Sequence, residues 1–271
     1  MNPERKIFFF DLDGTLLNTE KQITPDTYRA LQEWHAAGHV LAISSGRPLK
    51  SICDVIESQK LKEFAPVAIA YNGSQIRDCE SGRDLLVKRL PMEDVRTVTA
   101  LTRELSLYCH SYGDDTIYTP REGEELLFYT RVVKLPHHLL PDFPEGLPDA
   151  PCKLLCIDLA ESGKLTELSE AISERTNGRV SCVLSNPWYL EIFRSDAGKG
   201  AAVTELASIL GIPVKNTFAA GDAENDISMI EAAGCGIAMC NGQAGAIASA
   251  DIVTERDNDH DGLAPLLRSF I

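Results

Sequence analysis

The sequence predicts an α/β fold, a doubly wound parallel sheet with an inserted α+β segment, and three observations carry that expectation. Short apolar runs at Ile7 to Phe10, Val40 to Ser44 and Val67 to Tyr71 are separated by helical patterns. Continuous apolarity of this kind suits strands buried on both faces, and the alternation suits parallel order. From about Leu85 to Pro187 the pattern changes to runs of strands with segregated helices, which suggests an insert. A chain of 271 residues also has length for two modules.

Taken in order, the first run ends in Asp11-Leu12-Asp13-Gly14-Thr15, two carboxylates one residue apart. A helix follows, with Thr24 as its cap, Pro25 at its first position and Gly38 past its end. The second run leads into Ser45-Gly46-Arg47-Pro48, and the third into a hairpin-like turn at Tyr71-Asn72-Gly73-Ser74. In the insert, Val95, Val98, Leu101 and Leu105 mark a helix. Strands are expected over Leu107 to Tyr112, Thr116 to Tyr118, Lys153 to Leu159 and Arg179 to Leu184, with a second helix near Lys164 to Arg175. The proline-dense Pro136 to Pro148 reads as irregular, and His137-His138 as a surface loop rather than a metal site. Passages between the modules are expected near Ser81 to Leu86 and Asn186 to Leu190, dividing the chain into 1–84 with 188–271 and an insert of 85–187. Gly198-Lys199-Gly200 then opens a helix carrying Val203, Leu206 and Leu210, and Phe218 to Asp226 reads as a strand followed by an acidic loop that starts a helix.

In open α/β sheets ligands bind just beyond the carboxyl ends of the strands, which is where Asp11, Asp13, Ser45 and Asp222 would stand. Each motif alone has a plainer account. Asp-x-Asp-Gly fits a calcium loop or polar turn, Ser45-Gly46 an ordinary turn, and Glu224 or Asp226 a helix cap. Backbone N–H groups beside Ser45 would also suit a phosphate oxygen. Lys199 in a first helical turn opposes the helix dipole and asks for an anionic partner.

Together these motifs resemble the haloacid dehalogenase superfamily of phosphohydrolases across the whole chain. The spelling of the last third (Gly221 to Met229, Ala232-Ala233-Gly234, Gly236 to Met239, Ala250-Asp251, Asp261-Gly262) is similar to the Cof-type branch. Ser44-Ser45-Gly46 stands where threonine is usual before the glycine, Gly198 precedes the lysine, and Gly242 follows Asn241; serine keeps the hydroxyl. The resemblance implies a Rossmann-like core with the insert as a cap that selects substrate, and a phosphatase mechanism. Asp11 would be the nucleophile, forming an aspartyl-phosphate. Asp13 would be the proton donor and then the base. Mg²⁺ would be held by the Asp11 side chain, the Asp13 carbonyl and Asp222. Ser45, Gly46, Lys199 and Asn225 would bind the phosphate, with Asp226 orienting Lys199 or its loop. An acid at position 13 favours turnover of the phospho-enzyme, hence a phosphatase of small phosphorylated metabolites. A phosphomutase is the enzymatic alternative, and a metabolite-binding regulator the non-catalytic one. In the insert Ser111, Tyr112, Asp114, Asp115, Arg121 and Trp188 are candidates for substrate contact.

Rival motifs fail on spelling. A Walker loop ending at Lys199 would need glycine at 193 and a hydroxyl residue at 200, where Phe193 and Gly200 stand. Asp257 to Gly262 begins like an EF-hand loop but has Arg268 at the twelfth position and Pro265 inside, so a polar loop near the site's rim is expected. Asn72-Gly73-Ser74 matches a glycosylation sequon, relevant only in a secreted chain. Eight cysteines without a Cys-x-x-Cys pair, and a start that leads straight into the first strand, suggest free thiols in the cytoplasm. No apolar run approaches a membrane span of about 20 residues. A net charge of −14 disfavours nucleic acid and anionic membranes as partners and implies a small-molecule substrate captured locally.

Overall fold

The computed structural model describes residues 4–64 and 66–271. They form two compact units, one of residues up to 46, 52–86 and 198–271, the other of 47–51 and 87–197.

The first unit is built on an eight-stranded sheet. Its strands are β1 (Ile7–Phe10), β2 (Val40–Ser44), β3 (Val67–Ala70), β4 (Gln75–Asp78) and β5 (Asp84–Val87) from the first half of the chain, and β12 (Thr217–Gly221), β13 (Cys235–Ala238) and β14 (Ile252–Val253) from the last third. The order is β14-β13-β12-β1-β2-β3-β4-β5. All neighbours from β14 to β3 are parallel, and β4 turns back antiparallel on β3 through the expected hairpin at Tyr71–Gly73. Strand order therefore reverses at β1, which has β2 on one side and β12 on the other. That switch opens a crevice at the carboxyl ends of these three strands.

Alternation along β1 explains why an all-apolar strand was selected. Ile7 and Phe9 join Val40, Ala42, Val67 and Ile69 in a core closed by α6 (Lys199–Leu210) through Ala202, Val203 and Leu206, and by Met229 of α7 (Ile227–Ala232). Phe8 and Phe10 point the other way and stack at 4.3 Å, with Trp34 of α1 (Pro25–Ala36) edge-on to Phe8 at 5.6 Å. Phe218 stacks on Phe270, just past α9 (Ala264–Ser269), at 4.3 Å to complete that layer. Burying one such ring fully contributes about 1.5–3 kcal/mol. α2 (Leu49–Ser58) and α8 (Ala244–Ser249) are the remaining helices associated with this part of the chain.

Thr24 occupies the N-cap of α1 but does not do the capping expected of it. Its hydroxyl bonds Thr27 Oγ1, while Asp261 Oδ1, from the loop far along the chain, accepts the N–H groups of Asp26 and Thr27 at 3.0 Å. A carboxylate at that position also complements the helix dipole.

The second unit holds a six-stranded sheet ordered β10-β11-β9-β6-β7-β8: β6 (Tyr108–Tyr112), β7 (Ile117–Thr119), β8 (His137–Leu139), β9 (Leu154–Ile157), β10 (Val180–Asn186) and β11 (Tyr189–Arg194). Pairing is antiparallel except between β7 and β8. Helices α3 (Met92–Glu104) and α5 (Lys164–Arg175) cover one face through Val95, Val98, Leu168 and Ile172. Tyr108, His110 and Tyr112 take the other face of β6, where α4 (Glu124–Val133) brings Tyr129 against them.

Four details of the insert differ from the sequence-based expectation. α4 was not anticipated, although Glu124 and Glu125 in its first turn fit the helix dipole. His137-His138 lies in β8, where the prolines on either side sit outside the strand and leave its ladder intact. β9 spans Leu154–Ile157 and ends two residues short of the expected Leu159. Asn186 to Leu190 is no passage between units. It is the turn of the β10–β11 hairpin, whose second strand is held in this sheet by β9, and the boundary falls at 197/198 instead.

His110 is wholly buried, and among the described residues neither ring nitrogen has a hydrogen-bond partner. Burial first, and Lys153 second, push its pKa down from 6.5 to about 3. Between those values the unfolded chain binds a proton that the folded chain does not, so stability is intact above about 6.5 and falls as pH drops toward 3. The expected outcome for His110→Phe is a loss of stability between pH 7 and pH 4 smaller than that of the unsubstituted protein by about 2–3 kcal/mol, measured by urea unfolding at each pH.

Candidate active site

The site is assembled at the carboxyl ends of β12, β1 and β2. Asp11 follows β1 directly and is anchored by its own N–H, which donates to Ala220 O at 3.0 Å. Asp222 follows β12, and Ser45 follows β2 with its N–H on Ile69 O at 2.9 Å. Parallel register sets these ends side by side, since Phe10 pairs with both Ile43 and Ala220.

Lys199, at the start of α6, reaches into the same place. Its ammonium donates to Asp11 Oδ1 and to Asp226 Oδ1, both at 2.5 Å, with its side chain 1% exposed. The start of α6 is fixed by close backbone approaches. A Cβ at Gly200 would lie 2.3 Å from Ser228 O, and one at Gly73 would lie 2.2 Å from Gly198 O. Neither position has room for a side chain, so α6 packs tightly on the β3–β4 turn and on α7.

Asp226 uses both oxygens: Oδ1 takes Lys199, and Oδ2 accepts the N–H groups of Asp222 and Ala223 at 3.1 Å. It thereby holds both the lysine and the loop that carries Asp222. Asp222 Oδ1 accepts the Thr15 hydroxyl at 2.9 Å. Gly14, at φ +83°, passes so close that a Cβ there would meet Asp222 Oδ2 at 2.5 Å.

The charges are out of balance. Asp11, Asp222 and Asp226 each offer a carboxylate oxygen within 4.8 Å of the others, against one ammonium. Burial pushes the Asp11 carboxyl up to about 7, with Lys199 opposing the rise and Asp226 and Asp222 adding to it. Asp222 is raised as well, by burial first, against the pull of the Thr15 hydrogen bond. Burial works against the charge of Lys199, yet the two adjacent carboxylates hold its pKa above the ordinary value. A cluster of hard oxygen donors with excess buried negative charge fits a small divalent cation.

The Asp13 side chain is 40% exposed and takes the Lys21 ammonium at 2.8 Å. Gly46 follows Ser45 in the same loop, and Asn225 is half-buried in the short turn Glu224–Asp226. The loop from Asp257 to Gly262 is tied to the segment after Asp11: Asp259 accepts from Thr19, and the Asn258 amide donates to Leu17 O. Of the candidates in the second unit, Ser111 and Tyr112 are buried, bonding Lys153 O and Tyr129. Arg121 pairs with Glu125, Trp188 donates to Glu161, and Asp114 and Asp115 are exposed. Sequence reasoning missed Thr15 and Asn241, whose amide donates to Gly14 O at 2.9 Å. Thr15 lies inside the Asp-x-Asp-Gly-Thr stretch, where a hydroxyl one residue past the glycine was a usable signal.

Residues 8–267 match the family model of the haloacid dehalogenase-like hydrolases. The chain belongs to that family, on its phosphatase branch. A Streptococcus pyogenes protein is 29% identical over 269 residues, covering 98% of each chain. A 5-amino-6-(5-phospho-D-ribitylamino)uracil phosphatase of Bacillus subtilis is 29% identical over 266 residues, covering 98% of this chain and 96% of its own. The crystal structure of a haloacid dehalogenase-like hydrolase from Bacteroides thetaiotaomicron superposes with a TM-score of 0.88 at 28% identity, covering 99% of this chain and all of its own. Among the described residues no helix is long and apolar enough to cross a membrane.

Gly14→Ala tests how tightly the Asp222 loop is packed. A positive φ and a Cβ within 2.5 Å of the carboxylate should together lower stability by about 1–3 kcal/mol, measured by chemical denaturation.

Proposed function

We propose that this protein is a Mg²⁺-dependent phosphatase of small phosphorylated metabolites, sugar phosphates or similar monoesters, acting through an aspartyl-phosphate on Asp11. The observation that carries this reading is the Lys199 ammonium held at 2.5 Å from Asp11 in a buried cluster with Asp222 and Asp226.

In this reading Asp11 attacks phosphorus and the ester oxygen departs; water then releases phosphate from the acyl phosphate. Splitting the displacement in two lowers each barrier, provided that charge around the carboxylate and the phosphoryl oxygens is offset. Lys199 supplies one positive charge, and Ser45 with the N–H of Gly46 offers hydrogen bonds to the non-bridging oxygens. Asn225 is available for a further one. The residues that would hold Mg²⁺ are Asp11, Asp222 and the carbonyl of Asp13; Asp226 is excluded as a ligand by its three hydrogen bonds. Bound there, the ion would supply Lewis-acid neutralisation of the phosphoryl oxygens. Asp13, its side chain 40% exposed and bonded to the Lys21 ammonium, is in this reading the residue that gives a proton to the leaving oxygen and takes one from water. The second unit acts as the cap that selects the leaving group. Its α+β build and the family resemblance support that role. The net charge of −14 supports a small-molecule substrate over nucleic acid, and eight free thiols support a cytoplasmic location.

Phosphate release from a panel of phosphomonoesters should require Mg²⁺, stop with EDTA, and fall at least about a thousandfold in Asp11→Asn, as loss of a covalent nucleophile does. No release from any ester would overturn the reading. Thr15→Val should weaken Mg²⁺ binding about 10–100-fold, because it frees the Asp222 carboxylate to turn; calorimetric titration with Mg²⁺ alone measures this without turnover.

A further inference from the structure

The amino-terminal edge of the large sheet carries a feature that the catalytic reading does not use. A cavity of about 430 Å³ opens where β1, β2 and β3 begin. Val40, Phe64, Val67 and Leu85 form its apolar wall, and Arg5, Arg83 and His39 its basic side.

Among the described residues neither the Arg5 nor the Arg83 guanidinium makes a hydrogen bond or salt bridge through its side chain. His39 is 5% exposed, its ring set against Trp34 at 4.6 Å, and its Nδ1 has no partner. Burial, with Lys6 and Arg5 nearby, lowers its pKa. Two acids, Asp78 and Glu80, stand on the same rim, and Arg83 acts on the Asp78 carboxylate, helping to hold its pKa down. Asp78 already accepts the Glu80 N–H and the Ser81 hydroxyl, and Glu80 is exposed. Two exposed guanidiniums without a side-chain hydrogen bond or salt bridge, a buried imidazole whose Nδ1 lacks a partner, and an apolar wall in one concavity are the ingredients of a small-molecule site.

We infer that this cavity binds a small organic anion with an apolar body, its charged oxygens on Arg5 and Arg83, its apolar part on Phe64, Val67 and Leu85, and His39 beside the charged group. Such a ligand would touch Val40, the first residue of the strand whose far end leads to Ser45.

Histidine-detected ¹³C NMR of the full-length protein tests this, with the His39 signal among the six histidines assigned by its loss in His39→Gln. The probe is phenylphosphonate, whose carbon–phosphorus bond is not a phosphoester. A saturable shift of the His39 signal below about 10 mM is expected, weakened about tenfold in Arg83→Gln and in Arg5→Gln and unchanged in Asp11→Asn. Absence of a saturable shift overturns the inference. So does a shift that survives both arginine substitutions, or one that vanishes in Asp11→Asn, since binding would then lie elsewhere.

Discussion

The candidate site depends on one buried ammonium. Lys199 lies between Asp11 and Asp226 with almost no exposure, and neither carboxylate could be buried there without it. Removing one partner of a buried charge pair leaves the other uncompensated, which costs several times what a surface ion pair contributes. The lysine is in turn placed by backbone. Gly200 lies against Ser228 and Gly73 against Gly198, so the first turn of α6 has one position available to it. Asp226 passes the constraint on by gripping the backbone of Asp222 and Ala223. A single network thus fixes a nucleophile candidate, a cation-ligand candidate and the loop between them.

Sheet topology explains why these groups meet at all. Asp11 and Lys199 are 188 positions apart, with an entire second unit inserted between them. Because β12 pairs with β1 in parallel, the chain returns from the insert to lay Asp222 beside Asp11. The strand order reverses at that point, and helices leave the sheet on either side of the crevice. Long-range pairing of this kind closes large loops, yet closure entropy grows only slowly with loop length, so the insertion is tolerated.

Much of this was legible in the sequence, and the legible part has a common cause. Buried strands on both faces must be apolar throughout, so β1, β2 and β3 announced themselves, and polar residues at their ends stood out against that background. α5 was bounded correctly at Lys164 and Arg175 because its apolar residues recur at helical spacing. What stayed hidden was set by distant partners. Asp261 takes over the capping of α1 from the other end of the chain, and nothing near Thr24 reveals it. β11 reads locally as the resumption of the first unit, yet pairing with β9 and β10 assigns it to the second. Thr15 was visible as a hydroxyl, but only the fold shows that it meets Asp222.

The same charge arrangement constrains how an anion could enter. Lys199 is already shared by two carboxylates, so little of its field remains to attract a phosphate dianion. At a net charge of −14 the rest of the chain repels one. Burial also works against the ionisation of Asp11, whose carboxyl is pushed up to about 7. One change answers all three difficulties: a divalent cation on Asp11 and Asp222 would ionise the nucleophile, cancel the excess carboxylate charge and create the positive potential that the phosphate needs. A cation held by the carboxylate excess would tie substrate capture and nucleophile activation to the same binding event.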